Sequence, residues 1–144
     1  MILYLDASAL VKRYVAERGS EEVNTWIQEA ESVATGLITR VEVAAAISRA
    51  ERMNLITKDD TAAAIKLFRV EWESLQRLPV TEATVIRGDT LACEIGLRGY
   101  DAVHLATALI WQEIIGDGVV IATFDQQLHS AAREVGLGVL PILE

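Results

Sequence analysis

The chain has one cysteine, two prolines, two histidines and few aromatics, 6% in all. A lone Cys93 excludes an internal disulfide and suits a reducing cytosol. Nothing beside it marks a nucleophile, so it reads as a core residue. No apolar run approaches the roughly 20 residues that span a bilayer, and no basic segment opens the chain as in a signal peptide. The expectation is a cytoplasmic protein with no membrane partner. No repeat, linker or low-complexity segment interrupts the sequence. Cations are scarce too: 13 Lys and Arg stand against 21 Asp and Glu, a net charge of −8. That balance argues against non-specific nucleic-acid binding through bulk charge. A nuclease stays open, because bound cations would offset the acids at a site. Lys12, Arg13, Arg40 and Arg98 lie near acids in sequence and read individually as solvated charges.

What is present is an ordinary globular composition, 51% hydrophobic and 24% charged, in a length that suits one domain over residues 1–144. Ile2–Leu5 and Val119–Phe124 have the length and β-branched content of buried parallel strands. Val33–Leu37, Leu78–Val80 and Val139–Ile142 are further strands, and Pro141 suits an edge. Ser8 caps a helix from Ala9 to about Glu17 that Gly19 ends, and Ser20 caps another with the stripe Val23, Trp26, Ile27 and Ala30. Thr39 caps the helix Thr39–Arg52, whose buried stripe is Val43, Ala46, Ile47 and Ala50. After a left-handed stop at Asn54, Thr57 and Asp60 cap a helix carrying Ile65, Phe68, Trp72 and Leu75, which makes an αα-hairpin. A helix from Thr81 is open to interruption at Gly88, and Gly96–Gly99 is a turn. Tyr100–Ile114 and Gln126–Val135 are the last helices. Alternating strands and helices imply an α/β fold, a central, mostly parallel sheet with helices on both faces.

Four acids stand out in this frame. Asp6 and Asp125 immediately follow the two clearest strands, and ligands bind outside the carboxyl ends of strands in open α/β sheets. Glu42 and Asp101 begin helices that return to the same rim. Each has a dull explanation: an aspartate at a strand-to-helix junction is a common cap, and an acid in a first turn answers the helix dipole. Asp101 and Asp125 taken singly read as caps, whereas Ser8 leaves Asp6 without that duty. Together, clustered carboxylates repel and call for a cation. All-oxygen ligation selects Mg²⁺ or Mn²⁺, which activates water and polarises a phosphoryl group. Ser8 and Thr123 flank the strand-end acids as caps or as hydroxyls supporting a ligand carboxylate. His104, in the apolar run Ala102–Ala106, reads as a satisfied structural histidine, and His129 carries no signal. Trp26, Phe68 and Trp72 read as core or interface residues.

At these residues the chain resembles the PIN-domain family, and within it the VapC-like ribonuclease toxins of type II toxin–antitoxin systems. The resemblance runs from Ile2-Leu3-Tyr4-Leu5-Asp6-Ala7-Ser8 through Thr39-Arg40-Val41-Glu42-Val43, Leu97–Ala106 and Ala122-Thr123-Phe124-Asp125 to the closing Gly-Leu-Gly-Val-Leu-Pro-Ile. It implies a PIN-like parallel sheet and Asp6, Glu42, Asp101 and Asp125 as the catalytic and metal-binding acids, with Ser8 and Thr123 beside them. It further implies Mg²⁺ or Mn²⁺ as cofactor, RNA as substrate, a cognate antitoxin and a homodimer. Two readings compete. A haloacid dehalogenase-like phosphatase also has an Asp after its first strand, but it usually carries a second acid where Ser8 stands. A non-catalytic module would use a cation for stability alone.

Overall fold

In the computed structural model, which describes residues 1–143, β1 (Ile2–Leu5) is the middle strand of five. β2 (Ser32–Gly36) and β3 (Gln76–Leu78) lie on one side of it, β4 (Val119–Ala122) and β5 (Gly138–Leu140) on the other. Every neighbouring pair is parallel, so the sheet is wholly rather than mostly parallel among the described residues. The strand order reverses at β1, which makes the crevice outside its carboxyl end the switch point where such sheets take ligands.

Successive side chains of a strand face opposite ways, and β1 shows the consequence. Leu3 and Leu5 enter one core, Tyr4 the other. The first core is closed by α1 (Ala7–Leu10, prolonged by a 3₁₀ turn Val11–Arg13), α2 (Ser20–Glu29), α3 (Thr39–Arg52) and α4 (Lys58–Trp72), through Leu10, Val23, Val43, Ile47, Phe68 and Trp72. The second is closed by α5 (Glu82–Ile95), α6 (Gly99–Ile115) and α7 (Gln126–Glu134), through Leu91, Leu105, Leu109 and Leu128. Helices on both faces and the αα-hairpin stand as expected, with Asn54 left-handed at φ 58° and Thr57 and Asp60 forming a capping box.

Several local expectations fail for physical reasons. Asp6, not Ser8, caps α1, and the helix gives way to a 3₁₀ turn well short of Glu17. Gly19 takes the cap position of α2, while the Ser20 hydroxyl turns back to the loop, accepting from the Glu17 amide at 3.0 Å. Ile38 is the cap position of α3; the Thr39 hydroxyl is buried against that of Thr35 at 2.7 Å, joining α3 to β2. Gly88 does not break α5. It is buried against α6, where a Cβ would make ordinary van der Waals contact with the Ala102 carbonyl at 3.5 Å. Cys93 is exposed rather than core, because Thr84, Gly88 and Leu91 already define the buried stripe of α5 and Cys93 falls off it.

Candidate active site

Asp6 follows β1 directly, in extended backbone, and only 3% of it is exposed. Its Oδ1 accepts from the Ala9 amide at 3.0 Å and the Ser8 hydroxyl at 2.7 Å, and its Oδ2 from the Thr123 hydroxyl at 2.6 Å. Thr123 accepts in turn from the Asp125 amide at 3.1 Å, and Ser8 from the Phe124 amide at 2.9 Å. Two hydroxyls thus tie the end of β1 to the segment after β4. Burial pushes the Asp6 carboxyl up from its ordinary value, and the hydrogen bonds from Thr123, Ser8 and the Ala9 amide offset part of that.

Asp125 caps α7 through Oδ1, which accepts from the Leu128 amide at 2.9 Å. Its Oδ2 meets the Arg98 guanidinium. Asp101, in the first turn of α6, does not cap; its Oδ2 accepts from Arg98 Nε at 3.0 Å. One guanidinium therefore lies across both carboxylates. Burial, and then the charge of Asp125, push the Asp101 carboxyl up, and Arg98 opposes them. Arg98 itself remains 68% exposed.

Glu42 stands in the first turn of α3 and is partly exposed. Its Oε1 lies 2.7 Å from His104 Nε2, and His104 Nδ1 lies 2.7 Å from the Tyr4 hydroxyl. Glu42, Arg98, Tyr100 and Asp101 line one open depression. The six residues expected from the sequence fall into three linked sets: Asp6 with Ser8 and Thr123, then Asp125 with Asp101, then Glu42 with His104. Among the described residues, no three or more of Asp, Glu, His and Cys are grouped so as to hold one metal ion. The four carboxylates share a rim without closing on a point.

Three participants were invisible as such in the sequence. Arg98 was a solvated charge, although its i, i+3 spacing to Asp101 hinted at a pair. His104 is satisfied in the core as expected, but its partner is Glu42. Tyr4 was only a strand residue.

Residues 3–134 match the family model of the PIN domain. The chain belongs to the PIN-domain family. Among PIN relatives, Ribonuclease VapC45 of Mycobacterium tuberculosis is 33% identical over 141 residues, 97% of this chain and 95% of that protein. The solved structure of FitAcB from Neisseria gonorrhoeae is similar at TM-score 0.70 and 18% identity, covering 96% of both chains. A toxin–antitoxin complex from Klebsiella pneumoniae gives TM-score 0.61 at 18% identity, covering 87% of each. At such identities the two structures speak for the PIN fold alone.

Proposed function

We propose that this PIN domain is a metal-dependent endoribonuclease, the toxin of a type II toxin–antitoxin pair, hydrolysing RNA phosphodiester bonds at the rim formed by Asp6, Glu42, Asp101 and Asp125. The observation that carries the reading is the Asp101–Asp125 pair. Two carboxylates close enough for one to raise the other's pKa are answered by a single exposed cation, Arg98. Membership of the PIN family and the kinship with a VapC ribonuclease supply the reaction class, and set the phosphatase alternative aside.

The donor set fits a hard divalent ion. Mg²⁺ binds through one or two carboxylates and completes its shell with water and substrate phosphate, so a closed group of three protein ligands is not required. Asp101 and Asp125 would hold it, with Asp6 and Glu42 contributing charge and further oxygens. When bound, Mg²⁺ or Mn²⁺ polarises the phosphoryl group and favours ionisation of water. The chain's own residues do the rest. Ser8 and Thr123 hold Asp6, and through it the β1–β4 rim. Glu42, engaged by His104 at Oε1, offers Oε2 to the proton of an attacking water. Arg98, displaced from the acids, meets a phosphate oxygen. As the toxin of such a pair, the chain has a cognate antitoxin as its partner. An antitoxin Arg or Lys laid on Asp101 and Asp125 would block the site as Arg98 now covers it.

The test incubates purified protein and its Asp101→Asn variant with mixed RNAs in Mg²⁺, Mn²⁺ or EDTA. Cleavage is expected only with metal, falling about 100-fold or more in the variant, the scale of losing one electrostatic group at a reaction centre. Full activity in EDTA, with contaminating nucleases excluded, overturns the proposal. Metal-dependent melting without cleavage replaces it with the cation-binding module.

A further inference from the structure

His104 presents a physical puzzle. It is 2% exposed, on a helix whose neighbouring buried residues are Leu105, Ala106 and Ala108, where a leucine would fill the space without a polar ring to satisfy. The ring is satisfied at both ends, by residues 100 and 62 positions away in the chain. An ionised Glu42 only accepts, so Nε2 carries the proton and donates to it. In the neutral ring Nδ1 then accepts from the Tyr4 hydroxyl. Burial pushes the Tyr4 phenol well up, with the charges of Asp6 and Glu42 adding to the rise, which keeps that donor protonated. The fold makes room for this arrangement. Gly36 faces the Tyr4 hydroxyl so closely that a Cβ there would stand 2.9 Å from it. The far end of the series is the one exposed member, Glu42, in the depression it shares with Asp101 and Arg98.

We propose that His104, oriented by Tyr4, is a positioning residue that fixes the Glu42 carboxylate at the reaction centre. A glutamate in a first turn has three side-chain torsions to settle, and a ring locked in the core removes that freedom at Oε1. The inference rests on reading Glu42 as part of the ribonuclease centre, and its test separates the two claims.

Steady-state RNA cleavage in Mg²⁺ and thermal melting are measured for wild type, Glu42→Gln, His104→Gln, His104→Asn, His104→Leu and Tyr4→Phe. A glutamine amide nitrogen falls where Nε2 stands, whereas asparagine reaches only the Nδ1 position. Positioning therefore predicts that His104→Gln keeps most of kcat. His104→Asn and His104→Leu should each lose about 10- to 100-fold, as for other groups that orient a site, with KM unchanged and Tyr4→Phe intermediate. In a Glu42→Gln background His104→Leu should cost nothing further. A mere filler predicts the opposite order, with leucine tolerated best. Nitrogen NMR of histidine-labelled protein should show the Nε2–H tautomer at His104 and its perturbation in Tyr4→Phe, whatever the activity. If His104→Leu does not fold, the glutamine–asparagine contrast decides. Impaired Glu42→Gln beside a wild-type rate in His104→Asn or His104→Leu overturns the positioning role. A wild-type rate in Glu42→Gln overturns the reading of Glu42 and the proposal with it.

Discussion

Asp6 is nearly sealed from solvent, and burial raises its carboxyl above the ordinary value. Between the unfolded value of about 3.9 and the raised folded value, the native protein holds a proton that the unfolded chain has lost. Stability from this group therefore falls as pH rises through that window, and above it the whole penalty is present. The Asp6→Asn protein is free of it and keeps an oxygen for the Ala9 amide. In EDTA it should melt above wild type at neutral pH, with the gap narrowing as pH falls toward about 4. Thermal melts across that range check the sign; a gap that does not change with pH is the contrary result. Arg98 gives a second residue-scale prediction. Its guanidinium is the cation now set on Asp101 and Asp125, so Arg98→Gln should tighten Mn²⁺ binding a few-fold by calorimetry, the modest gain expected when an exposed pair is removed. Unchanged or weaker binding would deny that Arg98 competes with the ion. The acids were legible because strand ends and first helical turns are local signals. The Glu42–His104–Tyr4 series was not, because it joins α3, α6 and β1 across 62 and 100 residues, and no local pattern encodes a contact of that separation.

At the scale of elements, α3 sets where Glu42 stands, and α3 is held by α4. Phe68 of α4, 1% exposed, packs edge-on against Trp72 and Tyr14 in the same core as Val43 and Ile47. Arg13 adds a bidentate pair to Glu71 of α4, joining the 3₁₀ turn after α1 to the hairpin. Phe68→Ala should cost about 3–5 kcal/mol in urea denaturation and loosen the helix that carries Glu42. A loss well under 1 kcal/mol would mean the hairpin is not anchored there. Helical periodicity made both hairpin helices legible, since Val43, Ile47 and Ala50 and then Phe68 and Trp72 recur at core spacing. The ends were less legible. Ser8, Ser20 and Thr39 have the chemistry of caps, yet each hydroxyl finds a partner closer to the fold's interior or its loops. Strands β4 and β5 stop where their mutual pairing stops, at Ala122 and Leu140, short of what β-branched content alone suggests.

For the whole molecule the question is what its remaining apolar surface does. The hairpin carries a large apolar complement, Ile47, Leu55, Ile56, Phe68, Trp72 and Leu75, and a domain of 144 residues need not bury all of it. Ile47, Phe68 and Trp72 are buried, and Ile56 and Leu75 pack on the same core, because α3 and α4 close over the sheet themselves. Leu55 stays exposed, and on the outer side of α4 so do Leu67 and Val70, three residues apart and therefore on one face. Exposed apolar groups placed side by side mark contact surfaces, and a symmetric pair of copies would cover this face isologously. A homodimer is therefore expected, with an interface of at least about 1,200 Å². Light scattering at micromolar concentration should give twice the chain mass, and Val70→Glu should shift the protein to monomer without lowering its melting temperature in the monomeric state. A wild-type monomer rejects the dimer. A dimer indifferent to Val70→Glu places the contact away from α4. If the partner antitoxin sits on the acidic rim as proposed, Val70→Glu should leave its inhibition of RNA cleavage intact while Asp125→Asn weakens its binding, since the two surfaces are then separate and only the rim relies on its carboxylates.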